Sequence, residues 1–182
     1  MVHEYFDWTN LISNDARRRM CNNVEMGIKA GKFWHNSPKF QTNWNVFATP
    51  NEDFINLKMS FIWSCFSYMG KEVKIHNIQS WSFMTCLPGE NRDTLWHNHD
   101  HDPTTKTVSG VYYMHIPDDV SDLEMAGTEL APEGVEAEGR YFAPWKTGHW
   151  MIYPGKIWHR PGILQSTQNR FIVAADLEFK QN

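Results

Sequence analysis

The sequence has little cysteine, no long apolar run and no surplus of positive charge, and each shortage removes a class of protein. Its three cysteines, Cys21, Cys65 and Cys86, are odd in number and widely separated. They make neither a disulfide framework nor a CxxC zinc site, which agrees with a reducing compartment, and they read as core fillers. The longest apolar stretch, Met59–Met69 (MSFIWSCFSYM), is too short to cross a bilayer. The opening MVHEYFDW lacks the basic-then-apolar layout of a secretory signal. A soluble, cytoplasmic protein without a membrane partner is therefore expected. With 17 basic and 21 acidic residues and a net charge of −4, the chain lacks the basic footprint of a nucleic-acid binder. No internal repeat is visible.

What the chain does have is apolar and aromatic material: 41% hydrophobic residues, 14% aromatic and nine tryptophans in 182 residues. That suffices for one domain spanning residues 1–182 with a sizeable core. Ser13–Ala30 reads as a helix, capped at Ser13 to Asp15 and ended by Gly31. Asn51–Tyr68 reads as a second, with Phe54, Leu57, Met59, Phe61, Ile62 and Phe66 on a broad apolar face and Gly70 closing it. Between them Asn43–Ala48 (NWNVFA) is a short strand candidate. From Val73 the texture changes to short segments punctuated by Gly and Pro. These are Val73–Leu87, Leu95–His99, Thr107–Ile116, Leu123–Leu130, Arg140–Phe142, Trp150–Tyr153, Trp158–Ile163 and Arg170–Phe179. Strands following helices predict a mainly β fold, a double-sheet jelly roll (residues 73–182) buttressed by the two N-terminal helices (residues 1–72). Asp118–Glu138 carries eight acids and no base, which reads as a solvated loop or as a lid over a site.

The stretch Trp96–Asp102, WHNHDHD, places histidines at alternate positions. In a strand His97, His99 and His101 would project to one face, as metal ligands must. A second signal stands at Gly148–Gly162, GHWMIYPGKIWHRPG, where His159 follows a Pro-Gly turn. Two ligands from one segment and a third from a distant strand would make a metal site. Arg170 heads the apolar segment QNRFIVAA, and a buried guanidinium there suits a carboxylate. A salt bridge to Asp176 or Glu178 is the plainer alternative. Trp96, Trp150 and Trp158 read as aromatic core, and Arg160 as an ordinary exposed arginine.

WHNH at Trp96–His99, SGVYYM at Ser109–Met114, YPGKIWH at Tyr153–His159 and then Arg170 resemble the iron(II)/2-oxoglutarate-dependent oxygenases, in particular the bacterial and phage group related to the prolyl hydroxylases. The resemblance covers roughly residues 80–180. It implies a double-stranded β-helix, an Fe(II) held by His97, His99 and His159, and 2-oxoglutarate held at its far carboxylate by Arg170 with Tyr113 as a hydrogen-bond donor. It further implies O2 as co-reactant and hydroxylation of an unidentified prime substrate, a protein or peptide side chain or a small molecule. The usual set for such iron is two histidines and one carboxylate, and the sequence has no His-x-Asp. His99 stands at the acid's place, with His101, Asp100 and Asp102 as alternatives. Two rival readings share the architecture. One is a cupin-type metal protein that uses no 2-oxoglutarate. The other is a structural metal site, compatible with zinc and with His101 as fourth ligand.

Overall fold

The computed structural model describes residues 2–36, 39–85, 95–100, 102, 104–120, 126–164 and 166–180. Helix α1 spans Asn14–Lys29, and Ser13 Oγ accepts the Ala16 N–H at 3.2 Å as its cap. Helix α2 spans Glu52–Met69; Asn51 Oδ1 accepts the Phe54 N–H at 3.0 Å, and Gly70 ends the helix in the left-handed region at φ 66°. Phe54, Leu57, Phe61 and Cys65 recur at helical spacing and are fully buried.

Both helices cover one face of a seven-stranded antiparallel sheet. In spatial order its strands are β1 (Glu4–Asp7), β8 (His149–Pro154), β5 (Thr105–His115), β10 (Arg170–Lys180), β4 (Ile75–Thr85), β3 (Lys39–Thr42) and β2 (Phe33–Asn36). A second sheet of three antiparallel strands runs β7 (Tyr141–Ala143), β6 (Thr128–Ala131), β9 (Trp158–Pro161). Alternation divides the large sheet cleanly. Tyr112, Met114, Trp150, Ile152, Phe171, Val173, Ala175 and Leu177 pack toward the helices. Val111, Tyr113, Met151, Tyr153 and Ile172 pack with Leu130 and Ala143 of the small sheet. The helix-side core requires Gly110 on β5, since a Cβ there would stand 2.8 Å from Ile152 Cδ1 and 2.9 Å from Phe61 Cε2. Among the described residues no helix is long and apolar enough to cross a membrane.

The N-terminal part departs from the sequence reading in two places. Residues 1–72 are not purely helical, because β1, β2 and β3 extend the large sheet at both edges. Asn43–Ala48 is no strand: Val46–Ala48 forms a 3-10 turn, since Asn45 Oδ1 accepts the Phe47 N–H at 3.1 Å. Leu95–His99 is not a strand either, but touches β9 through a single bridge at His97. The acidic stretch is not a solvated loop throughout, for β6 lies inside it as the central strand of the small sheet. Glu129 on β6 is buried and accepts Arg160 Nε at 2.6 Å.

Candidate metal centre

His159 is set on β9 by the turn after β8. Gly155 allows that turn to close on β5: a Cβ there would stand 2.6 Å from Thr107 Cβ. The segment carrying His97 and His99 is then sewn to the same turn by backbone bonds. The His97 N–H donates to His159 O at 3.2 Å, the His159 N–H donates back to His97 O at 2.9 Å, and the His99 N–H donates to Gly155 O at 2.8 Å. Main-chain pairing, not alternation along one strand, brings the imidazoles together. Their ring centroids lie 4.2 Å (His97 and His159), 4.9 Å (His99 and His159) and 5.3 Å (His97 and His99) apart.

The ring protons of these histidines are fixed by what they touch. Nδ1 of His97 faces Leu95 O at 3.1 Å, and Nδ1 of His159 faces Ile157 O at 3.0 Å. Nδ1 of His99 faces a carboxylate oxygen of Asp176. Carbonyls and carboxylates only accept, so each Nδ1 carries a proton, and in the neutral ring the lone pair is then on Nε2. One donor nitrogen per ring lies within 4.8 Å of the others. His99 Nε2 is buried with no hydrogen-bond partner, the state expected of a metal donor rather than of a packed polar atom. The donor set thus fits a divalent transition metal.

His101 lies outside the described residues. Asp100 is not part of the cluster. Asp102 is exposed and turned onto its own loop, its Oδ1 accepting the Thr104 N–H at 2.8 Å and the Thr104 hydroxyl at 2.7 Å, which holds the carboxyl below its ordinary pKa.

The triad lines a cavity that runs between the sheets along the inner face of β10. Arg170, Ile172, Ala174 and Asp176 all line it. Arg170 is 1% exposed. Its guanidinium donates to Ala126 O at 3.1 Å and Gly162 O at 3.2 Å and reaches Thr85 Oγ1 at 3.4 Å. Asp176 is not its partner: six residues along an extended strand is roughly 20 Å, and Asp176 instead accepts from Ser109 Oγ at 2.7 Å and from His99. Tyr113 stands behind the lining, its hydroxyl 2.9 Å from Thr128 Oγ1. Burial pushes its phenol up to about 12, against the opposing pull of the Thr128 bond and the Arg170 charge, so it remains a proton donor at neutral pH.

Sequence reasoning missed four lining residues. Tyr153 is buried and meets His159 edge-on at 5.0 Å, Trp81 stacks on His99 at 5.6 Å, and Thr128 and Ser109 come from β6 and β5. Only the alternation of YPGKIWH and of the strand at Ser109 hinted at them. Of the three tryptophans read as core, only Trp150 is buried there, donating to Ser60 Oγ at 2.9 Å. Trp158 is 39% exposed, and Trp96 lies under the Arg160 guanidinium at 4.7 Å. Both flank an open groove on the outer side of His97 and His99, together with Gln79, Asn98 and Glu178.

No family model matches the sequence, and no curated protein does. Solved structures do match, over nearly the whole chain. A Pseudomonas putida prolyl-4-hydroxylase superposes with a TM-score of 0.63 at 10% identity, covering 99% of this chain and 94% of that one. A Trichoplax adhaerens prolyl hydroxylase, solved with a hypoxia inducible factor peptide fragment, gives 0.70 at 12% identity, covering 98% and 84%. The non-heme alpha ketoglutarate dependent epimerase SnoN of nogalamycin biosynthesis gives 0.71 at 8% identity, covering 98% and 78%. The chain shares their fold. At such identities the likeness fixes architecture, and the chemistry must be argued from the cavity.

Proposed function

We propose that the protein is a non-heme iron(II)- and 2-oxoglutarate-dependent dioxygenase on a double-stranded β-helix, hydroxylating a C–H bond of a protein or peptide side chain or of a small molecule. The observation that carries this is one cavity lined by three convergent imidazoles and, further along it, by the buried guanidinium of Arg170 on β10. His97, His99 and His159 would hold Fe(II) through Nε2. Bound iron with 2-oxoglutarate and O2 supplies the oxidising power for inserting one oxygen atom into the substrate, the other leaving in succinate as CO2 is released.

Arg170 offers the far carboxylate of 2-oxoglutarate a fixed cation in a water-poor site, where such a pair is strong. Tyr113 and Thr128 share a proton beside it and can turn a hydroxyl toward the same group. Phe83, Val111, Ile172 and Ala174 line the space between and keep water out. The prime substrate would approach through the outer groove past Trp96 and Trp158. The relatives in fold include one solved with a peptide and one described as an epimerase from nogalamycin biosynthesis, so substrate class does not follow from the fold.

The test is anaerobic titration of the Fe(II) protein with 2-oxoglutarate, followed by the visible charge-transfer band of the chelate. The native protein gives the band, and Arg170→Ala loses it while keeping its metal. Metal binding without any band in the native protein would favour the cupin-type reading, in which Arg170 has no anionic cosubstrate to meet.

A further inference from the structure

The three imidazoles are not held alike. His97 and His159 each use the carbonyl two residues back, Leu95 O and Ile157 O. The corresponding carbonyl for His99 belongs to His97, and it is engaged with the His159 N–H in the bridge that joins the two ligand segments. His99 therefore turns to a partner 77 residues away, the buried carboxylate of Asp176. That carboxylate is itself pinned, since Asp176 lies opposite Ser109 in the β5/β10 register and accepts its hydroxyl at 2.7 Å. Trp81 stacks on the face of the His99 ring, with centroids 5.6 Å apart.

We propose that Asp176 is a positioning residue for the all-histidine site: it acts through His99, fixing the proton on Nδ1 and placing one full negative charge an imidazole's width from the metal position. This rests on the metal-binding half of the function proposed above and is independent of 2-oxoglutarate. Three neutral ligands leave a dication uncompensated, whereas the two-histidine, one-carboxylate set neutralises part of it at first hand. Here the carboxylate stands one residue out, on β10 of the large sheet, and reaches the metal position through the His99 ring. The sheet register places it there: Asp176 is on the cavity side of β10 and level with the triad.

Two measurements test it. In the metal-free native protein labelled with 15N-histidine, His99 shows a fixed Nδ1–H tautomer, which Asp176→Ala loses while His97 and His159 keep theirs. A native His99 protonated at Nε2 overturns the proposal without any variant. The second is Co(II) titration against a competing chelator, with no 2-oxoglutarate present. Asp176→Asn, which keeps a hydrogen bond and removes the charge, weakens Co(II) by about tenfold or more. In a His99→Asp background, where two carboxylates would face one another, the same change leaves affinity unchanged or raises it. Unchanged affinity in the native background, or an equal loss in both backgrounds, overturns the role assigned to Asp176. A native protein that binds no Co(II) sinks the metal centre itself.

Discussion

The helix-facing and cavity-facing sides of the seven-stranded sheet are made from the same strands, yet they solve different problems. On β10, Phe171, Val173, Ala175 and Leu177 face α1 and α2 and do nothing but fill space. One residue over, Arg170, Ile172, Ala174 and Asp176 face the other sheet and put a buried cation and a buried anion into one cavity. The first side gains free energy from apolar area, about 1.5–3 kcal/mol for each large side chain taken out of water. The second gives up some of that gain, because a buried charge stabilises nothing unless it meets its partner. Stability is thus concentrated on one side and chemistry on the other, with a shared backbone holding both in register.

That division can be broken from either side. The largest effect is expected from His159→Ala, which removes one of the three proposed donors and should abolish stoichiometric metal binding, read by metal analysis after gel filtration, while the far-ultraviolet circular dichroism stays native. Retained metal at full stoichiometry would move the site elsewhere. Next comes Leu177→Ala, on the helix side and adjacent in sequence to Asp176. Leu177 is fully buried, so the cavity left behind should cost about 2–5 kcal/mol in denaturant unfolding. Metal affinity should stay within a few-fold, and a large loss would show that the two faces are not separable.

A smaller effect concerns alkaline pH, where the two sides should behave alike. Burial raises the Cys21 thiol from 9.0 to about 12 on the helix side and the Tyr113 phenol from 10.0 to about 12 on the cavity side. Unfolded, each group ionises earlier, so the stability tied to keeping it neutral is complete below its ordinary pKa and is lost as pH rises toward the folded value. Urea midpoints should therefore fall from neutral pH to roughly pH 10.5, and Cys21→Ala should flatten part of that slope. A midpoint that rises over this range would contradict the burial of both groups.

Much of the fold was legible in local chemistry. The caps at Ser13 and Asn51 and the stop at Gly70 mark helices because they satisfy helix ends through neighbours in sequence. The long strands β5 and β10 announce themselves by β-branched and aromatic residues. The four-residue strands β1, β2 and β3 do not, since edge pairing, of β1 with β8, of β3 with β4 and of β2 with β3, and not their own composition, makes them strands. The place of the cavity was legible in part. Histidine spacing and the position of Arg170 at the head of an apolar segment singled out His97, His99, His159 and Arg170, which line one cavity, whereas Tyr113 was suggested by the resemblance alone and stands behind the lining. The partnership of Asp176 with His99 was not, because it is a contact between β10 and a segment far away in the chain, and an acid on Arg170's side of a strand looks at first like Arg170's own counterion.

The reciprocal backbone bridge between His97 and His159 makes two of the three clustered histidines a single mechanical unit. Its two amides cannot open to solvent without carrying both rings apart, so a bound ion would act as a clasp on a local unzipping event. Ion release and amide hydrogen exchange at these two positions would then share one opening step, and the residence time of the ion would be set by how often that short bridge frays.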